Sequence, residues 1–205
     1  MFAAPGRVWL ATFLGAEVLL AFGYVAWRSP WLLLPLTAVS AFFILLLLFF
    51  RDPERSVGRA IVAAADGRVM VVKEEGDIVR IGTFMNVTNV HVNRVPISGY
   101  LVRVDTREGP RVPAFSPEAT GNAQKRYIFG TPIGRVDVVQ ITGLVARRCV
   151  AYAEAGSPWT KGGRFGMVLF GSRVDVVLPR QRVRTVVPVG TRVQAGTTTI
   201  AELLL

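Results

Sequence analysis

Gly166-Met167-Val168-Leu169-Phe170-Gly171-Ser172-Arg173-Val174-Asp175-Val176-Val177-Leu178 is the stretch that decides the fold. Val168 to Phe170 reads as one short strand and Val174 to Leu178 as another, and Gly171-Ser172 interrupts an otherwise extended apolar run. Counting by twos places Ser172 on the face of Val174, Val176 and Leu178, the apolar one. A small hydroxyl residue at that position would sit in a dry pocket.

The same short alternations, broken by Gly and Pro, recur outward from this point. Gly67 to Val72, Gly99 to Val104, Arg135 to Ile141, Gly166 to Phe170 and Arg173 to Leu178 all show them. They predict a mainly β domain, a sandwich or barrel-like fold, from residue 51 to 205. No helix longer than two turns fits after Phe50, although Asn122 to Tyr127 could carry a single turn. Three segments pass from a strand through a short polar stretch to a Gly-containing turn: residues 65–77, 98–109 and 188–196. These resemble the turns of biotinyl and lipoyl carrier domains. No lysine occupies a carrier hairpin tip, so the likeness is one of architecture and not of cofactor attachment.

Residues 1–50 are different in kind. Trp9 to Trp27 is apolar apart from Glu17, and Trp31 to Phe50 carries no charge. Each approaches the ~20 residues that span hydrocarbon as a helix. Arg28-Ser29-Pro30 separates them as a tight reversal, and Trp9, Trp27 and Trp31 stand at the ends, where aromatic rings favour the interface. A signal peptide does not fit the second apolar run or the lack of a small-residue cleavage site. The expectation is a membrane-anchoring helical hairpin. Glu17 faces the partner helix, is protonated, or marks a shallow insertion. Arg7 before the hairpin, and Arg51 and Arg55 after it, outweigh Arg28 in the turn, which places both termini and the β domain on the cytoplasmic side of the cell membrane.

The formal net charge is +10. Beside a membrane segment this suits an anionic lipid surface. The arginines are scattered and no recognition motif accompanies them, so nucleic acid is not expected as a partner. One cysteine, Cys149, and one histidine, His91, exclude an internal disulfide and a His/Cys metal cluster. No metal is expected.

A Gly-Ser bond in such a context can support self-cleavage. The serine hydroxyl can attack the preceding carbonyl, which glycine leaves unhindered. The resulting ester can undergo β-elimination, and the dehydroalanine left behind hydrolyses to a pyruvoyl group. A ketone fixed in a protein can form a Schiff base with an amine and accept its electrons. His91 also stands out, because Asn89, His91 and Asn93 alternate with Val90 and Val92, which predicts a strand with a polar face on a cleft.

Four ordered segments carry a resemblance. Phe170-Gly171-Ser172-Arg173-Val174-Asp175 resembles the cleavage segment of the phosphatidylserine decarboxylase family. Gly82 to Val87 and Asn89 to Pro96 resemble the histidine segment of its short prokaryotic subgroup, which includes archaetidylserine decarboxylases. Phe49 to Arg55 and Ala65-Asp66-Gly67 match as well, so the likeness runs along essentially the whole chain. Longer members carry Gly-Ser-Thr and two nearby histidines. Here Arg173 follows Ser172, and Arg94 falls where the second histidine would be.

The resemblance implies a proenzyme that cuts itself between Gly171 and Ser172 and turns Ser172 into its pyruvoyl cofactor. That group would form a Schiff base with the serine headgroup of the lipid, release CO2 and give phosphatidylethanolamine. The same chemistry on ether lipids is the neighbouring alternative, and a non-catalytic membrane-tethered adaptor is the alternative from another class. His91 would be the acid/base residue and Asp66 the acidic group that orients it. Lys161, Arg164 and Arg173, which flank the cut, are candidates to meet the lipid phosphate. The two cleavage products would stay together as a heterodimer, and a homo-oligomer is compatible with the sequence.

Overall fold

The computed structural model describes residues 2–110, 112–143, 148–169 and 172–204. The chain falls into two units, Met1–Glu54 and Arg55–Leu205.

The first unit holds α1 (Arg7–Trp27) and α2 (Leu33–Phe50). Arg28 ends α1 in the left-handed region, with φ 54° and its amide on the Tyr24 carbonyl, and a short 3-10 turn at Pro30–Leu32 starts the return. The predicted reversal at Arg28-Ser29-Pro30 is therefore the observed one. The segments Ala4–Trp27 and Pro30–Phe50 are each long and apolar enough to cross a membrane. Their outward side chains are large and apolar, Leu34 being 78% exposed. Apolar residues on every face of a helix suit a lipid environment or a deep core, and this degree of exposure argues against the core. Phe13 packs on Phe42 at 4.9 Å between ring centres. The Ser40 hydroxyl donates to Glu17 Oε1 at 2.5 Å, so Glu17 turns toward the partner helix.

The second unit is built of β1 (Ile61–Val62), β2 (Gly67–Glu75), β3 (Ile78–Met85), β4 (Val92–Arg94), β5 (Gly99–Arg107), β6 (Gln124–Thr131), β7 (Gly134–Thr142), β8 (Arg148–Ala151), β9 (Ser157–Trp159), β10 (Arg164–Leu169), β11 (Ser172–Pro179), β12 (Val183–Thr185), β13 (Arg192–Val193) and β14 (Thr199–Leu203). An eight-stranded sheet runs in the order β13-β2-β3-β11-β7-β6-β5-β9. Two three-stranded sheets, β1-β14-β12 and β4-β10-β8, accompany it. All the pairings are antiparallel.

The alternating pattern is what fixes these faces. On β11, Val174, Val176 and Leu178 enter the core, together with Val79 and Ile81 of β3 and Val136 and Val138 of β7. The β4-β10-β8 sheet adds Phe165 and Val168 to the same core. Phe165 meets Tyr127 edge-on at 4.7 Å, and such aromatic pairs add to what burial alone contributes. The helical turn expected within Asn122 to Tyr127 lies earlier, at Pro117–Gly121. Ser116 caps that turn, and the Asn122 side chain is drawn to the Val112 and Thr142 carbonyls. From Gln124 onward the chain pairs with β7 instead.

Candidate active site

Ser172 is the first residue of β11, in the interior of the eight-stranded sheet. Met85 of β3 stands opposite it on one side and Thr142 of β7 on the other. It is fully buried, and its hydroxyl makes no hydrogen bond among the described residues. A buried hydroxyl without a partner costs about 1–3 kcal/mol, and a catalytic role is one reason for a fold to keep such a group. Gly171, the residue before the expected cut, lies outside the described residues.

His91 is also fully buried. Its Nδ1 lies 2.9 Å from the Asn89 carbonyl. A carbonyl can only accept, so Nδ1 carries the proton and a neutral ring keeps Nε2 as its proton acceptor. The His91 carbonyl receives the Val168 amide of β10 at 3.4 Å, which places His91 beside the strand that leads to residue 172.

The regular strand expected around Asn89, His91 and Asn93 is limited to Val92–Arg94. Asn86 and Asn89 close a turn on themselves: the Asn89 amide donates to the Asn86 carbonyl and the Asn86 amide to the Asn89 side chain. That turn holds residues 90 and 91 off the ladder. Residues 90 to 94 are buried on both faces, so the expected polar face looks into the protein rather than onto an open cleft.

The interior polar groups form a chain. The Tyr127 hydroxyl donates to Gln140 Oε1 at 3.1 Å, Gln140 Nε2 donates to Asn93 Oδ1 at 2.7 Å, and Asn93 Nδ2 reaches Met85 Sδ at 3.6 Å. Met85 is the cross-strand neighbour of Ser172. The chain thus joins the sheet that carries the His91 segment to the sheet that carries Ser172. Burial pushes the Tyr127 hydroxyl well above its usual range, so it remains a donor. A Cβ at Gly166 would fall 2.7 Å from the Val150 carbonyl and 3.0 Å from Gln140 Nε2, so only glycine leaves room for this link. Burial also lifts the Cys149 thiol to about 11, which keeps it protonated near neutrality and removes it as a competing nucleophile.

Replacing Asn93 by alanine would leave the Gln140 amide without its acceptor, a loss of about 1–3 kcal/mol. The expected outcome is a lower melting temperature together with slower appearance of cleaved chains. Unchanged cleavage kinetics would show that the link supports only the fold.

Asp66 precedes β2 and is buried. Arg55 grips both of its oxygens, Nη1 on Oδ1 and Nη2 on Oδ2 at 2.8 Å, and the Ala195 amide donates to Oδ1 at 2.8 Å. Arg55 also donates to the Ala195 carbonyl at 3.0 Å. Arg55 was legible as part of the matching segment Phe49 to Arg55 and as a charge flanking the hairpin, and nothing in its spacing announced Asp66 as its partner.

Of the three cations proposed for a phosphate, Arg173 does not join Ser172. Neighbouring strand residues point to opposite faces, and Arg173 lies on the outer face, bound through Nε and Nη2 to Asp175 at 2.6 and 2.9 Å. Arg80 adds a second contact to Asp175 at 3.3 Å. Lys161 Nζ donates to the Ala60 carbonyl at 3.1 Å, and Arg164 opens β10 opposite Arg94. Among the described residues no group of three His, Cys, Asp or Glu side chains could hold a metal.

The family described as phosphatidylserine decarboxylase matches residues 42–201. A phosphatidylserine decarboxylase proenzyme of Streptomyces avermitilis is 41% identical over 168 residues, covering 81% of this chain and 76% of its own length. Another, from Thermobifida fusca, is 44% identical over 153 residues, covering 73% and 70%. A Methanosarcina acetivorans protein, provisionally named archaetidylserine decarboxylase proenzyme, is 36% identical over 209 residues, covering 99% and 97%. A β domain that matches this family and these decarboxylase proenzymes is a lyase of that class. The chain belongs to the phosphatidylserine decarboxylase family.

Proposed function

We propose that the chain cuts itself between Gly171 and Ser172, and that the mature enzyme decarboxylates phosphatidylserine to phosphatidylethanolamine. The observation that carries this reading is the Ser172 hydroxyl, fully buried at the head of an interior strand and without a hydrogen bond among the described residues. That position fits a group derived from residue 172, because a ketone there needs no donor from the serine it replaces.

In the cut, His91 takes the Ser172 proton as Oγ bonds to the Gly171 carbonyl carbon. The bond to the Ser172 nitrogen breaks and that nitrogen receives the proton, leaving an ester. Loss of the Cα proton of residue 172 then expels the Gly171 carboxylate with the bonding electron pair. Water adds to the dehydroalanine and ammonia leaves. The pyruvoyl carbonyl so formed is an electrophile for the serine amine and an electron sink for the departing carboxylate. Met85 and Thr142 flank that position, and His91 serves there again as acid and base. The Asp66 carboxylate is taken up by Arg55 and the Ala195 amide, and His91 Nδ1 by the Asn89 carbonyl, so Asp66 would serve the cut by holding the start of β2 in place.

The test is the intact mass of the purified protein. Two chains are expected, Met1 to Gly171 and residue 172 to Leu205, the second beginning in a pyruvoyl group. One full-length chain would refute self-cleavage and favour the adaptor. The alignment with the Methanosarcina relative takes in nearly all of this chain. The headgroup chemistry would be the same on an ether lipid, so both lipids belong in the assay.

A cut before Ser172 leaves both products interwoven. The shorter one supplies β11 between β3 and β7, β13 against β2, and β14 against β1. The pair would remain together as a heterodimer.

The helical hairpin would deliver the β domain to its bilayer substrate, with that domain on the cytoplasmic side. Arg7, Arg51 and Arg55 against Arg28 in the turn support that orientation. Removing residues 1–50 should leave cleavage intact and lower turnover on vesicles more than on short-chain soluble lipid. Removing residues 1–59 takes Arg55 away and should abolish cleavage as well. Equal loss on both substrates after the shorter deletion would mean that the hairpin supports the fold and does not deliver the enzyme.

A further inference from the structure

Asn93 lies on β4, two residues after His91, and is fully buried. Its side-chain amide touches both strands that flank β11. Nδ2 reaches Met85 Sδ of β3 at 3.6 Å, and Oδ1 accepts from Gln140 Nε2 of β7 at 2.7 Å. Met85 stands opposite Ser172, and Gln140 stands opposite Val174, two residues before Thr142. Directly opposed residues and residues two apart share a face. Met85, Ser172, Val174, Gln140 and Thr142 therefore all turn to one side of the sheet, the side from which Asn93 arrives. Strands β3 and β7 are two ladder spacings apart, ~10 Å. The Asn93 amide bridges that gap over β11, at the level of residues 172 and 174.

The chain of hydrogen bonds has a direction. Burial pushes the Tyr127 hydroxyl well above its usual range, so it keeps its proton and donates to Gln140 Oε1. Gln140 is left with Nε2 to offer, and Asn93 answers with Oδ1. The Asn93 NH2 is thereby turned toward Met85. It has two hydrogens, and among the described residues the acceptor identified for them is a thioether sulfur, which is a weak one. Other donors near residue 172 are committed elsewhere. The Thr142 hydroxyl donates to the Ala123 carbonyl at 2.9 Å, Arg94 donates to the Gly162 carbonyl, and Arg173 is bound to Asp175 on the opposite face.

We propose that Asn93 Nδ2 receives the carboxylate of the lipid's serine headgroup, an assignment that rests on the decarboxylase reading above. In that headgroup the amine and the carboxylate share one carbon, so an amine brought to residue 172 carries its carboxylate to the neighbouring amide. When the bond from that carbon to the carboxylate breaks, its electron pair passes to the pyruvoyl group, the carboxylate leaves as neutral CO2, and the carbon takes a proton. A guanidinium would bind the carboxylate's charge most strongly before the reaction and lose that contact as CO2 forms. An uncharged amide orients the group with less stabilisation of the ground state. Gln140 and Tyr127 are positioning residues, since they act only through the direction they give Asn93.

The test uses the full chain after maturation into two products. In mixed micelles, Asn93→Ala should raise KM for phosphatidylserine about ten-fold or more, with a smaller change in kcat. Inhibition by phosphatidylethanolamine, which has the amine and the phosphate but no carboxylate, should stay at the parent value. Tyr127→Phe should raise KM by a smaller factor. Asn93→Leu combined with Gln140→Leu and Tyr127→Phe removes the whole chain without stranding a partner, and should fold and show the full loss even if Asn93→Ala does not fold. Borohydride converts a pyruvoyl ketone to an alcohol and stops turnover, so titration of the treated chain gives a readout independent of activity. There sn-glycero-3-phosphoserine should bind more tightly than sn-glycero-3-phosphoethanolamine, and the preference should vanish in the variants. A parallel rise in KM and in the inhibition constant would assign Asn93 to the shape of the site alone and overturn the proposal. An unchanged KM would overturn it, as would a parent that binds the two headgroups equally or binds neither. A parent chain that releases no CO2 would overturn the proposed function, and the titrations would still decide the carboxylate contact.

Discussion

Ser172→Ala is expected to give a single uncut chain with no decarboxylase activity. The substitution removes only a hydroxyl that has no hydrogen bond among the described residues. No partner among the described residues loses a bond, and the alanine methyl enters a position that is already apolar on the side of Val174 and Val176. The variant should therefore be folded and at least as stable as the parent, since removing a buried polar group without a partner relieves a desolvation cost of about 1–3 kcal/mol. A stable protein that neither cuts nor turns over would separate chemistry from folding. An alanine variant that still decarboxylated lipid would remove residue 172 from the mechanism, and with it the pyruvoyl cofactor. Circular dichroism and thermal unfolding supply the control.

The second large effect belongs to His91 and to Asp66, by different routes. His91→Ala should slow cleavage by about 10²–10⁴-fold, the usual contribution of a positioned general base. Stability should change less than for a buried ion pair, because the substitution strands no opposite charge and the Asn89 carbonyl that meets Nδ1 is a neutral group. Asp66→Ala should also impair cleavage, but with a loss of roughly 3–5 kcal/mol in stability, the usual cost of stranding one member of a buried ion pair. Its side chain and that of Arg55 are each only 10% exposed. Arg55→Ala should then behave like Asp66→Ala. If Asp66→Ala were fully cleaved, Asp66 would have no part in processing. If Arg55→Ala were destabilised and yet cut at the normal rate, the clasp would serve stability alone. Cleavage half-times on a denaturing gel, read beside melting temperatures, separate these cases.

The sequence made the β domain and the hairpin legible because both rest on local periodicity. Alternation by twos placed Val174, Val176 and Leu178 on the core side, and unbroken apolarity marked α1 and α2. Ser172, His91 and Asp66 were legible through segments that resemble a family. What could not be read was anything set by strand register. Arg55 finds Asp66 across eleven residues, Asn93 finds Gln140 across forty-seven, and Arg68 meets Arg192 only because β13 pairs with β2. A pattern of twos says which face a residue takes, not which strand will lie beside it. Alternation by twos already set Arg173 on the face opposite Ser172, where it binds Asp175, so nearness in sequence was no guide to the site.

The depth of Ser172 has a consequence for timing. Its walls come from residues 78–85 and 134–142, and the neighbouring His91 segment docks on β10. None of these is near residue 172 until the sheets have assembled. A nascent or misfolded chain therefore lacks the groups that would break its own backbone, and a broken backbone becomes a permanent record that assembly was completed. The fraction of cut protein in a preparation would then count molecules that have folded at least once, a molecular receipt that no later unfolding can erase.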